Sequence, residues 1–474
     1  MPKFKRKHKI TIFLCILLSL VLISFFVHEK QREKTEIPKI TDQIPFTFKL
    51  PEKPSFSINN CNITKYGAVS KENIINTQSI QKAINDCAQK GGGTVSIPAG
   101  KWTTGAIQLK SNIDLDITEG ATLMFSTNPQ DYLPTVFTRI EGMELYNYSP
   151  FIYAKDAQNI TITGKGTLDG QGATWMSWKN NEPKALQKLY NMAKKNIPVE
   201  QRQFGYFENG LRPSFVQFIN CQNIWLEDFT IINSPRWTLH PVYSENISMN
   251  NLHINTDGFN TDGIVIDSSK NILIENSTIA SGDDTISIKS GMDSDGWRVN
   301  KPAENIVIRN SQITAGHSAI AIGSEMSGGI KNIFLYNLKL DGIDQGIRAK
   351  SVTGRGGVVE NLWAKNIAMG DVVNAGIKLD LTYDASTIKS LENKVPTFRN
   401  FYFDSISIGK TKVGISLDGL PNSKISNVYF SNIKTSAEKA VIIKNAKDVT
   451  LQKINNFGKE NSFFNVEQSD NISY

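Results

Sequence analysis

Asn-(Ile/Leu/Val)-x-(hydrophobic) recurs as NITI at 159, NIWL at 223, NISM at 246, NILI at 271, NIVI at 305, NIFL at 332, NLWA at 361 and NVYF at 427, with NFYF at 400. Spacings between successive copies include 23, 25, 27 and 29 residues, with longer gaps at 159–223, 271–305 and 361–400. Self-similarity at such a period, carried by short β-branched runs, specifies a solenoid: one repeat cannot bury its apolar face alone and must stack on the next. Each repeat has room for two or three short strands. The expectation is an all-β, right-handed, single-stranded parallel β-helix. An asparagine in a tight bend can hydrogen-bond the copies above and below it, so the repeated asparagines are read as structural.

A helix is expected ahead of the solenoid. In TQSIQKAINDCAQK (77–90), Ile80, Ala83, Ile84, Cys87 and Ala88 form one apolar stripe at helical spacing. Asn76 or Thr77 is placed to cap its N-terminus, and Gly91 to Gly93 end it. Such a helix suits the open end of a β-helix. Before it, residues 10–27 are an apolar run without charge, preceded by Lys3, Lys5, Arg6, Lys7 and Lys9. That pattern reads as an export signal or an uncleaved membrane anchor, covering 1–28. Residues 29–56, with Pro38, Pro45, Pro51 and Pro54, read as a linker, and 57–474 as the working domain, outside the cytoplasm.

The formal net charge of +7 belongs mostly to this leader. Residues 1–35 hold eight Lys/Arg against two Asp/Glu, which leaves +1 for the remainder. A nearly neutral domain has no broad basic face for nucleic acid, and an anionic substrate would have to meet a few placed cations. Of the four cysteines, Cys61 and Cys87 could pair or stand as separate buried thiols, and Cys221 reads as a buried strand residue. No Cys/His spacing suggests a metal site.

Chemistry gathers where the repeat is best developed. Asp262 precedes Asp283 by 21 residues, about one turn of the repeat, and Asp284 follows directly. Stacking would bring these carboxylates together, with Asp262 under Asp283. Adjacent carboxylates cannot both ionise cheaply, so one becomes an acid and another stays a base, as glycosidic cleavage requires. His317 lies one turn on. Arg348 and Lys350 follow at period two, on one strand face, and suit a carboxylate substituent on a sugar.

Asn260-Thr261-Asp262, Gly282-Asp283-Asp284, Gly316-His317-Ser318 and Arg348-Ala349-Lys350 stand in this order. Together they resemble the motifs of the polygalacturonases of glycoside hydrolase family 28, with Ser318 and Ala349 departing from the family's Gly and Ile. The resemblance runs from about residue 60 to at least 385. It implies a pectin-lyase-like β-helix that hydrolyses α-1,4-galacturonosyl bonds with inversion and without cofactor or metal. It makes Asp283 the general acid, with Asp262 and Asp284 holding and activating water and His317 supporting the acid. Arg348 and Lys350 would grip a uronate, and Asn260 and Tyr383 would contact substrate. The expected partner is a pectic polysaccharide or oligosaccharide, bound by a monomer that residues 10–27 could anchor to a membrane. Insertions at 173–212 and 291–304 resemble those of exo-acting bacterial members and predict a pocket that takes chain ends. Hydrolysis of rhamnogalacturonan or xylogalacturonan is the alternative within the same chemistry. A pectate lyase and a non-catalytic adhesin are the alternatives outside it.

Overall fold

The computed structural model describes residues 41–71, 73–206, 210–383, 390–458 and 464–474. The expected export segment and the first part of the expected linker lie outside them. The described chain is a parallel β-helix. Strands from successive coils pair in register along three sheets. One runs through Gln158–Thr163, Gln222–Glu227, Glu245–Asn250, Lys270–Glu275 and Ala303–Arg309. A second runs through Thr167–Asp169, Thr230–Ile232, His253–Asn255 and Thr278–Ala280. The third, which carries the site, runs through Ile152–Lys155, Val216–Ile219, Leu239–Val242, Ile264–Asp267, Ile286–Lys289, the end of Gln312–Gly323, Ile343–Lys350 and Val372–Asp380.

The repeat signature has the structural role expected of it. The motif asparagines at 159, 223, 246, 271, 305, 332, 361, 400 and 427 all adopt left-handed backbone angles, φ between 54° and 62°. Asparagine tolerates that region better than other residues with a Cβ. Their side-chain amides donate up the stack, Asn223 to Asn159 at 3.0 Å, Asn271 to Asn246 at 2.8 Å and Asn332 to Asn305 at 2.9 Å. The alternating aliphatics after each asparagine fill one continuous core.

Helix α1 (Thr77–Gln89) buries Ile80, Ala83, Ile84 and Cys87 against the first coils. Asn76 occupies its N-cap position, but its side chain makes no cap bond. It instead ties to Val69 and Thr103, and the Thr77 hydroxyl accepts from the Gly105 N–H at 2.6 Å. The polar residues at this end anchor the helix to the sheet. Cys61 and Cys87 are buried free thiols, and burial beside Cys61 pushes Cys87 up to about 12. Cys221 is buried but falls between two strands, not within one. Within the expected linker, Ile44, Phe46 and Phe48 pack on the outside of the first sheet against Leu273, Val307 and Phe334.

The outer surface of the third sheet is covered over its earlier coils. A hairpin of Val136–Ile140 and Met143–Asn147 lies over Tyr153, Ile219 and Val242. Helix α2 (Glu182–Lys194) and helix α3 (Asp293–Val299) arise from the two expected insertions. Leu186, Leu189 and Tyr190 of α2 pack with Ile140 and Met143 of the hairpin and with Met292, just ahead of α3. Buried ion pairs fasten the layer: Arg212 to Glu182 at 2.7 Å, Arg202 to Asp295 at 2.8 Å and Arg355 to Asp293 at 2.7 Å.

Candidate active site

The uncovered third sheet begins where this layer stops, and the motif residues collect at that border. A cleft of about 460 Å³ is lined by Asn260, Asp262, Asp283, Asp284, His317, Lys350 and Tyr383. Each comes from the bend into the third sheet or from a strand of it, except Tyr383, which follows the Val372–Asp380 strand. Arg348 stands immediately behind, buried, with its guanidinium 4.9 Å from the Tyr383 ring.

The stacking differs from the spacing estimate by one residue. Ile264 pairs with Ile286, so the same register carried back two residues sets Asp262 against Asp284, not Asp283. The coil here is one residue longer than the interval from Asp262 to Asp283. Asp262 and Asp284 are therefore buried in one row, and Asp283 stands half-exposed in the next. That neighbouring row continues to His317, whose N–H donates to the Asp283 carbonyl at 2.8 Å, and then to Asp344.

The electrostatics divide the carboxylates. Burial would raise Asp284, but Lys350 and Lys289 overcome it and hold it down at about 2. The Lys350 ammonium donates to Asp284 Oδ2 at 2.6 Å. Burial and then the negative charge of Asp284 push Asp283 up. Burial and then Asp283 push Asp262 well above the usual carboxylate range, although the Ser287 hydroxyl donates to it at 2.6 Å. The three titrate as a linked cluster. One carboxyl is displaced toward its protonated form beside another that stays ionised, which is the arrangement needed for paired acid and base work.

Other expected contacts are already engaged within the protein. Arg348 pairs with Asp380 at 3.4 Å, and Asn260 Oδ1 accepts from Arg212 at 3.2 Å. His317 Nδ1 lies 3.0 Å from Asp344 Oδ2. Sequence reasoning missed Asp344, and it also missed Glu141, Trp237, Phe259, Lys289 and Glu325, which complete the lining. Glu141 sits at the tip of the hairpin, ion-paired to Arg236. Lys289 donates to Glu325 Oε2 at 2.9 Å and lies 5.2 Å from the Trp237 ring. A signal for Lys289 was present: ISIKS at 286–290 and IRAKS at 347–351 repeat the same strand.

A family model for glycosyl hydrolases family 28 matches residues 87–454. A solved hyperthermoactive exopolygalacturonase from Thermotoga maritima superposes with a TM-score of 0.77 at 34% identity, covering 90% of this chain and 94% of that one. An exo-poly-alpha-D-galacturonosidase from Dickeya chrysanthemi is 29% identical over 425 residues, 82% of this chain and 69% of its own length. A probable polygalacturonase from Vitis vinifera is 29% identical over 399 residues, 79% of this chain and 74% of its own.

Proposed function

The chain belongs to glycosyl hydrolases family 28 and is a glycoside hydrolase; from that premise we propose that it hydrolyses α-1,4-galacturonosyl bonds of pectin with inversion, from a chain end. The observation that carries the chemistry is the placement of two adjacent carboxyls in one cleft with the Lys350 ammonium on Asp284 at 2.6 Å, which holds Asp284 down at about 2 while burial and Asp284 raise Asp283. Asp283 protonates the leaving oxygen, and His317 and Asp344 flank it on the side away from the covering layer. Asp284 takes the proton from water. Asp262, raised by burial and by Asp283, holds that water as a hydrogen-bonding partner; the removal of the proton falls to Asp284. Lys350, stacked with Arg348 on Tyr383, has a donor to offer the uronate beyond the scissile bond.

The exo preference is supported by the covering layer. The hairpin, α2 and α3 close the cleft at Glu141, and the relatives include exo-acting enzymes. A pocket closed at one end admits a chain end and excludes a passing chain. Residues 10–27 support action outside the cytoplasm, with the leader cleaved or retained as an anchor. A time course on polygalacturonate tests the reading, with proton NMR of the first anomer released. The expected outcome is monomer or dimer from the earliest time, released as the β-anomer. An early spread of oligomers would exclude exo action, and first release of the α-anomer would exclude inversion.

A further inference from the structure

Lys289 and Lys350 occupy the same outward row of the third sheet. The register pairs Ile288 with Ile322 and Gly323 with Lys350, so the row reads Lys289, Gly323, Lys350 on consecutive coils. Two strand spacings separate the lysines, about 10 Å along the axis. Gly323, at φ 90°, puts no side chain between them. The acidic row of Asp262 and Asp284 runs beside this gap. Both ammonium groups line the cleft, Lys350 toward Tyr383 on the open side, Lys289 toward Trp237 and Glu141 on the closed side.

Lys289 is buried, with a 6% exposed side chain, and donates to Glu325 and, at 3.5 Å, to the Gly323 carbonyl. An ammonium has three donors, so one remains for a ligand. Glu141 is pushed up to about 7 by burial and by Glu325, against the pull of Arg236 and Lys289. Below that pH it is neutral; Lys289 then faces the ionised Glu325 and Asp284, and the buried Arg236 is paired with Glu182 at 3.3 Å.

We propose that Lys289 is a specificity-determining residue that binds the carboxylate of the sugar on the closed side, so that the enzyme reads a uronate on each side of the bond it cuts. This rests on the galacturonan reading above and deepens it. A chain alternating galacturonate with a neutral sugar satisfies only one of the two lysines at a time. The bracketed arrangement therefore selects uronate–uronate linkages and disfavours a rhamnogalacturonan backbone.

The test compares digalacturonate with its two monomethyl esters, each of which removes the charge from one sugar. Wild-type enzyme is expected to cleave each monoester about 10- to 100-fold less efficiently in kcat/KM, the value of one charge-assisted hydrogen bond. The paired substitution Lys289→Gln with Glu325→Gln avoids leaving a buried carboxylate alone. It is expected to lose rate on digalacturonate and to discriminate against only one of the two esters. If the wild-type enzyme cleaves either monoester as well as digalacturonate, the proposal is overturned, whether or not the double variant folds. It is overturned equally if a folded double variant rejects both esters as before. No cleavage of polygalacturonate or digalacturonate would remove the underlying activity reading, a result distinct from equal cleavage of acid and ester.

Discussion

At the scale of single residues, lysines decide which carboxyl of the cluster stays ionised. Lys350 holds Asp284 down at about 2 while burial and Asp284 raise Asp283. Asp283→Asn removes the proposed proton donor and is expected to lower kcat by about 10²- to 10⁴-fold with little change in folding, measured on polygalacturonate alongside a melting curve. Lys350→Met takes away the closest cation that keeps Asp284 ionised. Asp284 must be deprotonated to act, so the acidic limb of the kcat/KM profile should move to higher pH in that variant. A limb that stays in place would mean another group sets it. Glu141 has the opposite sense: held near 7, it is neutral below that pH and charged above it. Its ionisation adds a negative charge beside Lys289 and Glu325, with Arg236 the opposing cation. KM for polygalacturonate is therefore expected to rise above about pH 7 in the wild type, and to rise less in Glu141→Gln.

At the scale of elements, the asparagine ladder and the hairpin divide stability from specificity. Asn332 sits at φ 59°, donates to Asn305 and accepts from Asn361 at 3.1 Å. Asn332→Ala loses both bonds and keeps an unfavourable backbone angle, at a cost of about 2–4 kcal/mol. Asn332→Gly loses the bonds but accepts the angle, so it should unfold at a higher denaturant concentration than the alanine variant. Equal midpoints for the two variants would show that the left-handed backbone angle costs the alanine variant nothing. The hairpin stands outside the main core and buries Ile140, Met143 and Leu145 in a separate cluster with α2. Its tip closes the cleft through Glu141 and Arg236, and the Gly142 carbonyl accepts from the Met292 N–H at 3.2 Å. The helical stripe of α1 was legible from apolar spacing. The hairpin was not, because the alternation of apolar residues in VFTRIEGMELYN looks like another coil of the solenoid, and only its antiparallel pairing sets it apart.

At the scale of the whole molecule, residues 41–56 are part of the folded body. Ile44, Phe46 and Phe48 cover an apolar strip on the first sheet, and Phe46 lies 5.9 Å from Trp363. A chain starting at residue 57 loses those contacts and one starting at 41 keeps them. The shorter chain is expected to be less stable by about 2–4 kcal/mol, on the basis of partial burial of three large apolar side chains. Equal melting temperatures for the two would show that the strip needs no cover.

The amino-acid sequence by itself determined the β-helix, its capping helix and the motif residues, because period, apolar alternation and residue type are all written along the chain. Asp262, Asp283, Asp284, His317, Lys350 and Tyr383 were all legible, and they line one cleft. Tertiary structure decided what depends on coil length and on what lies across a gap. The extra residue in one coil set Asp262 beneath Asp284. The covering hairpin and helices brought Glu141 to the cleft's end. Register placed Lys289 two coils from Lys350, 61 residues apart in the chain. A one-residue change in a coil moves a side chain to another row, and no local pattern records which distant row it will face.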